Sequence, residues 1–239
     1  MLIGGLQKFT ALDYPGKIAA TIFTVGCNFR CPFCHNPEIV NMDGTGVELI
    51  DEKEVLEFLK GRIGELDGVC ITGGEPTLQK DLLEFIGKIK DMGFLVKIDT
   101  NGANFNAVEE LVRSNMVNYF AMDIKTSFDK YHLVGATEEG VENVKKSISL
   151  IASSGAALEL RTTMAPGIVA PEDFDGIIES INAISPEIFL RLYRYSVQGF
   201  RPQKCLDEKF EETAPYDDKI LEEIALKLRK YCPTVEVVK

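Results

Sequence analysis

The chain has 239 residues, 45% of them apolar, with 26 lysines and arginines against 37 aspartates and glutamates for a net charge of −11. That balance argues against nonspecific binding to nucleic acid or to an anionic membrane, because either surface repels it. No apolar run reaches the roughly 18 residues of a membrane span, and residues 1–8 lack the apolar stretch and cleavage site of an export signal, so a reduced cytoplasmic setting is expected. The length suits one large core. We expect a single domain over residues 1–239, with a core at about 16–195 and the segments 1–15 and 196–239 packed on it.

In chain order, short runs rich in β-branched residues alternate with longer segments of helical period. The pattern predicts strands at 18–25, 68–72, 94–99, 117–124, 157–164 and 188–193. Helices are predicted near 51–63, 79–92, 106–114, 138–153 and 171–184, with a last one near 216–231. In the second helix Leu82, Leu83, Phe85, Ile86 and Ile89 share one side, while Lys80, Asp81, Glu84 and Lys88 fall largely elsewhere. Each helix must carry the chain back before the next strand, so the strands pair in parallel. The class is α/β, either a (β/α) barrel or an open doubly wound sheet. The sequence has no longer repeat, low-complexity tract or linker-like change in composition.

The most informative segment follows the first strand, where Cys27, Cys31 and Cys34 stand within one short loop. Such a loop can wrap three corners of an iron–sulfur cube without reaching the fourth, leaving one iron open to a substrate. Six cysteines scattered at random would match this spacing only about 0.004 times. A structural zinc site needs four closed ligands, and His35, directly after Cys34, is poorly placed to converge with it. A disulfide framework does not suit a long chain whose cysteines crowd into one loop. Cys70, Cys205 and Cys232 lie far apart and read as buried or incidental thiols.

The other unusual residues also fall at C-terminal strand ends, the face on which α/β sheets and barrels bind ligands. Gly73-Gly74-Glu75-Pro76 follows the second strand, where glycines allow close backbone approach to a ligand and Glu75 can hold an amine; the alternative is an ordinary turn. Asp99, heading Asp99-Thr100-Asn101-Gly102, can accept hydrogen bonds from ribose hydroxyls, although Asn101-Gly102 also suits a tight turn. Asp123 and Lys125 alternate and so point the same way, able to grip a zwitterion or to form a surface ion pair. Arg161 is charged within an apolar run and is expected to face a polar cavity.

Together, these motifs resemble the radical S-adenosylmethionine (SAM) enzymes over most of the chain, from about residue 5 to at least residue 167. Cys34-His35-Asn36 and Asp99-Thr100-Asn101-Gly102 look like glycyl-radical activating enzymes such as pyruvate formate-lyase activating enzyme. The opening Gly5-Leu6-Gln7-Lys8-Phe9-Thr10 with Asp13-Tyr14-Pro15-Gly16 is similar to activating proteins of anaerobic ribonucleoside-triphosphate reductase. The fold implied is a partial (β/α)6 TIM-like barrel with a C-terminal helical extension.

The resemblance implies that Cys27, Cys31 and Cys34 bind a [4Fe–4S] cluster whose open iron takes the methionine end of SAM. Phe33 then packs near the adenine and residues 73–76 bind the amino group. Asp99 matches a position contacting the nucleoside or a monovalent cation. Asn36, Thr100, Asn101, Asp123, Lys125 and Arg161 match further cofactor positions. The implied partners are a glycyl radical enzyme and an external electron donor, flavodoxin or ferredoxin, because no second cysteine set exists. The sequence shows no counterpart, within residues 192–196, to the histidine that some relatives carry after the sixth strand. Other readings remain open: a radical SAM enzyme acting on a small molecule, and a non-enzymatic zinc or electron-transfer module.

Overall fold

The computed structural model describes residues 1–239. Eight strands form one sheet in chain order: β1 (Ile3–Thr10), β2 (Ala19–Thr24), β3 (Gly68–Gly73), β4 (Leu95–Thr100), β5 (Tyr119–Asp123), β6 (Ala157–Met164), β7 (Arg194–Gly199) and β8 (Val235–Val238). β1 runs antiparallel to β2, and every later pair is parallel. β1 and β8 are the two edges, so the sheet is a barrel left open along one side.

The crossovers are α1 (Glu52–Lys60), α2 (Leu82–Asp91), α3 (Phe105–Ser114), α4 (Glu138–Ala152) and α5 (Asp173–Ile184), followed by the single turn α6 (Ile188–Arg191) and by α7 (Asp218–Leu228). Side-chain caps begin three of them. Asp51 accepts from Lys53 N at 2.7 Å, Thr137 from Gly140 N at 3.1 Å and Asp217 from Ile220 N at 3.0 Å.

Period two divides the strands into two unlike faces. Val69, Ile71, Val96, Ile98, Phe120, Met122, Leu158, Leu160, Tyr195 and Val197 are buried in the main apolar core with the helices. The intervening residues include Cys70, Lys97, Asp99, Asp123, Glu159, Arg161 and Ser196, so the inner face is polar. Tyr14 packs against Tyr119 with ring centroids 5.8 Å apart, and with Ala19 and Ala121 forms a small separate apolar cluster at the strands' N-terminal ends.

One strand lies elsewhere than expected. Residues 188–191 form α6, and the sixth parallel strand is β7, residues 194–199. Ile188 and Phe189 are both buried while Leu190 is 68% exposed, which is no strand pattern. The next run, Arg194-Tyr195-Ser196-Val197-Gln198, alternates polar and apolar side chains as a strand requires. β1 and β8 were not anticipated: β1 begins with two glycines after Ile3 and β8 has only four residues. The C-terminal extension therefore supplies a strand as well as a helix.

Candidate active site

The register sets the C-terminal ends of β2 to β6 side by side, with Thr24 opposite Gly73, Ile71 opposite Ile98, Thr100 opposite Met122 and Asp123 opposite Arg161. The loop bearing Cys27, Cys31 and Cys34 leaves β2 at this end. Backbone bonds from distant segments hold it on several sides. Gly26 and Cys27 N–H donate to Ile39 and Val40 at 2.8 and 3.1 Å, and Arg30 N–H donates to Val134 at 2.8 Å. From the C-terminal region, Leu206 N–H donates to Cys34 O at 3.1 Å and Asp207 N–H to Pro32 O at 2.9 Å.

His35 stacks on Phe200 with centroids 5.9 Å apart, and its Nδ1 lies 3.1 Å from Gln203 O. No three His, Cys, Asp or Glu side chains converge as a single ion requires. Ligands on separate irons of a cluster need no such convergence, whereas a closed zinc site does. Burial pushes the Cys31 thiol up to about 12 and also raises Cys27, with the nearby Lys125 ammonium opposing the rise at both. Iron charge is what turns thiols in such a setting into thiolates.

A cavity of about 210 Å³ opens at the strand ends. It is lined by Cys27, Cys31 and Cys34 together with Phe33, Asn36, Gly73, Gly74, Glu75, Asp99, Thr100, Asn101, Asp123 and Lys125. Two candidates stand behind the lining. Pro76 opens a short buried turn, Pro76–Leu78, and Arg161 reaches Asp99 and Asp123 at 2.8 Å each. Phe29, Val40, Thr72 and Thr163 also line the cavity without a sequence signal strong enough to single them out, and His35, considered above only as a zinc ligand and as part of a motif, lines it too. Thr163 had the nearest to such a signal, since it lies two residues beyond Arg161 and shares its face. Beside it, outside the lining, Gln198 of β7 accepts a hydrogen bond from Thr163 Oγ1 at 3.2 Å and so braces that wall.

The two glycines have a structural cause. A Cβ on Gly73, which holds φ +110°, would lie 2.5 Å from Thr24 N, and one on Gly74 would lie 2.2 Å from Gly26 O. The space left by their missing side chains is filled by the backbone leading into the cysteine loop. Glu75 is fully buried and acts as a tie. Its Oε1 accepts from Thr77 N, Thr77 Oγ1 and Thr100 Oγ1 at 3.1, 2.5 and 2.7 Å, and its Oε2 accepts from Asn101 N at 2.7 Å. Burial raises its carboxyl above the usual range while these donors pull it back. Asn101 Nδ2 in turn donates to Asn28 Oδ1 at 2.8 Å, binding the β4 end to the cysteine loop.

Asp123 and Lys125 share a face and pair with each other at 2.8 Å. Burial is the largest single influence on Asp99 and Asp123 and opposes their ionisation, but Arg161 together with Lys97 at Asp99 and with Lys125 at Asp123 outweighs it, holding both carboxyls below their usual range. The remaining thiols lie outside the cavity lining. Cys70 contacts Lys97 and Asp99, Cys232 donates to Thr234 O, and Cys205 precedes the residue bonded to Cys34 O. Changing each of these three to Ser should leave iron content unchanged. Iron lost from the Cys205→Ser protein would redraw the ligand set.

A loop with three thiols at the mouth of a parallel sheet, beside a polar cavity, defines a class. The chain belongs to the radical SAM superfamily, whose sequence profile matches residues 21–181. Enzymes of this family use a [4Fe–4S] cluster and SAM. A Methanocaldococcus jannaschii protein, MJ1227, assigned by name as a glycyl-radical enzyme activating enzyme, is 33% identical over 241 residues, covering 99% of this chain and 95% of that one. The pyruvate formate-lyase-activating enzyme of Clostridium pasteurianum is 28% identical over 239 residues, covering 96% and 95%.

Solved structures share the fold. Streptococcus suis SuiB bound to precursor peptide SuiA superposes with TM-score 0.66 at 15% identity, over 90% of this chain and 47% of that one. A domain of pyruvate-formate lyase-activating enzyme from Bacteroides vulgatus gives 0.54 at 17% identity, over 72% and 99%. In addition, no helix of the chain is long and apolar enough to cross a membrane.

Proposed function

We propose that this chain is a glycyl-radical activase that takes a hydrogen atom from a glycine of a partner enzyme, with anaerobic ribonucleoside-triphosphate reductase as the first candidate partner. The observation that carries this reading is the neighbourhood of the cysteine loop. The small cavity adjoins a wider groove of about 720 Å³, lined by Gly4, Gly5, Phe23, Glu38 and residues 46–50 among others, and Asn36 lines both. A peptide loop fits such a groove, whereas an enzyme acting on a small molecule needs no opening beyond the cavity. The names of the relatives support the same class.

In this reading Cys27, Cys31 and Cys34 hold a [4Fe–4S] cluster, and Phe33 stands ready to pack against the adenine. The backbone of Gly73 and Gly74 offers polar groups to the methionine amino group, while Asp99, its oxygens paired with Lys97 and Arg161, forms the cavity wall beside the ribose. When bound, the cluster and SAM together supply reductive cleavage to methionine and a 5′-deoxyadenosyl radical. The protein's part is to hold the groups rigidly and to keep other hydrogen donors away. Rigidity comes from the Glu75 tie and the Asn101–Asn28 bond. The electron comes from an outside carrier, flavodoxin or ferredoxin, since Cys70, Cys205 and Cys232 are dispersed.

The test is anaerobic incubation with SAM, a reductant and purified anaerobic ribonucleoside-triphosphate reductase or pyruvate formate-lyase, followed by electron paramagnetic resonance. A glycyl doublet on the partner is expected. Formation of 5′-deoxyadenosine with no doublet on either protein would overturn the activase reading in favour of a small-molecule substrate.

A further inference from the structure

Five charged side chains form a continuous chain across the inner face of β4, β5 and β6. Lys97 pairs with Asp99 Oδ1; Arg161 Nη1 lies 2.8 Å from Asp99 Oδ2; Arg161 Nε lies 2.8 Å from Asp123 Oδ1; and Lys125 Nζ lies 2.8 Å from Asp123 Oδ2. Every carboxylate oxygen at the end of these strands thus already has a nitrogen partner. The neighbouring oxygens are also committed. Thr100 Oγ1 donates to Glu75 and accepts from Gly102 N, and Asn101 Oδ1 accepts from Ala103 N. Glu159 is taken up by Tyr119, Ser196 and Arg194.

A monovalent cation at Asp99, which the family resemblance implies, does not fit this arrangement. A hard cation binds through several oxygen donors, and here it would enter among three fixed cations whose carboxylates are fully paired. Charge accounting leads to the same point. Arg161 and Lys125 against Asp99 and Asp123 sum to zero, so one added alkali ion would leave the group at +1. Lys97 already brings it there.

Nor can Lys97 easily withdraw. Its side chain is 2% exposed, Nζ sits 3.6 Å from Cys70 Sγ, and the Tyr119 ring lies 5.8 Å away. We infer that Lys97 is a positioning residue that replaces the alkali ion beneath Asp99, so that cofactor binding and cleavage proceed without Na⁺ or K⁺. The inference rests on SAM binding beside Asp99 and does not depend on which substrate loses hydrogen.

The experiment uses the cluster-loaded protein in tetramethylammonium buffer with photoreduced deazaflavin, with or without KCl, and reads SAM affinity by equilibrium dialysis and cleavage as 5′-deoxyadenosine. For the unaltered protein both values should agree with and without KCl. Lys97→Met should bind SAM at least about tenfold more weakly without KCl and regain affinity with it, whereas Lys97→Arg should stay indifferent to KCl. A loss of about tenfold in the unaltered protein on removing K⁺, which needs no variant to fold, overturns the inference. So does a Lys97→Met protein that binds SAM normally in both buffers. Neither reading involves the partner protein, so a missing glycyl doublet would sink the activase proposal and leave this one standing.

Discussion

Replacing any one of Cys27, Cys31 or Cys34 by Ala should abolish reductive cleavage of SAM and lower iron from about four per chain to below one. The loop has no spare donor to compensate. His35 is engaged by Phe200 and Gln203, and Glu75 is enclosed by Thr77, Thr100 and Asn101. The apoprotein should nonetheless keep its fold, because Cys31 is only one of the 50 buried residues of the main core and Cys27 and Cys34 merely pack against it. Circular dichroism, iron and sulfide analysis, and 5′-deoxyadenosine yield under reductant separate the two effects. A Cys34→Ala protein retaining full iron and cleavage would remove the ligand assignment.

Gly74→Ala should have the next largest effect, although it adds only one methyl group. That methyl would stand 2.2 Å from Gly26 O and 2.8 Å from Gly26 C, both backbone atoms that no rotamer change can move. Relief requires breaking the bonds from Gly74 N to Thr24 O and from Glu75 N to Gly26 O, each 2.8 Å. The loss is on the order of 3 to 5 kcal/mol, which for a chain of this size lowers Tm by roughly 10 °C. The strain falls on Gly26, so iron should be lost as well. Gly87→Ala in α2 is the control: nothing lies within 4 Å of its Cβ, and helix propensity favours Ala there. Equal melting temperatures for Gly74→Ala and the unaltered protein would show that the β3 end is free to move away from the loop.

Much of the architecture was legible because the strands buried on the helix side carry unbroken apolar positions and the helices between them keep their period. Residues 188–193 misled because they are apolar without alternating, and a buried one-turn helix has the same composition as a buried strand. The edges β1 and β8 carried weak signals for the reason that edges usually do: half of their surroundings are solvent or loop.

At the site, the cysteine spacing and the three other strand-end motifs gave most of the cavity lining directly. Arg161 was noticed as a charge within an apolar run. Lys97, in the run Leu95-Val96-Lys97-Ile98, carries the same signature of a charge among apolar neighbours. For Glu75 the sequence leaves an amine contact and an ordinary turn both open, because the motif cannot reveal Thr77, Thr100 and Asn101 closing over it. The bonds from Leu206 and Asp207 to the cysteine loop were invisible for a deeper reason, since backbone N–H groups pairing with distant carbonyls leave no mark on residue type.

Those last bonds bear on the order in which the molecule can be built. Two carbonyls of the cysteine loop wait for the N–H groups of Leu206 and Asp207, and His35 waits for a carbonyl 168 residues later. Until Leu206 and Asp207 are made, the cysteine turn is held through Ile39, Val40, Glu75, Asn101 and Val134. A truncation before residue 200 should therefore leave the cysteine turn less firmly held, and it should take up less iron than the unaltered chain on reconstitution.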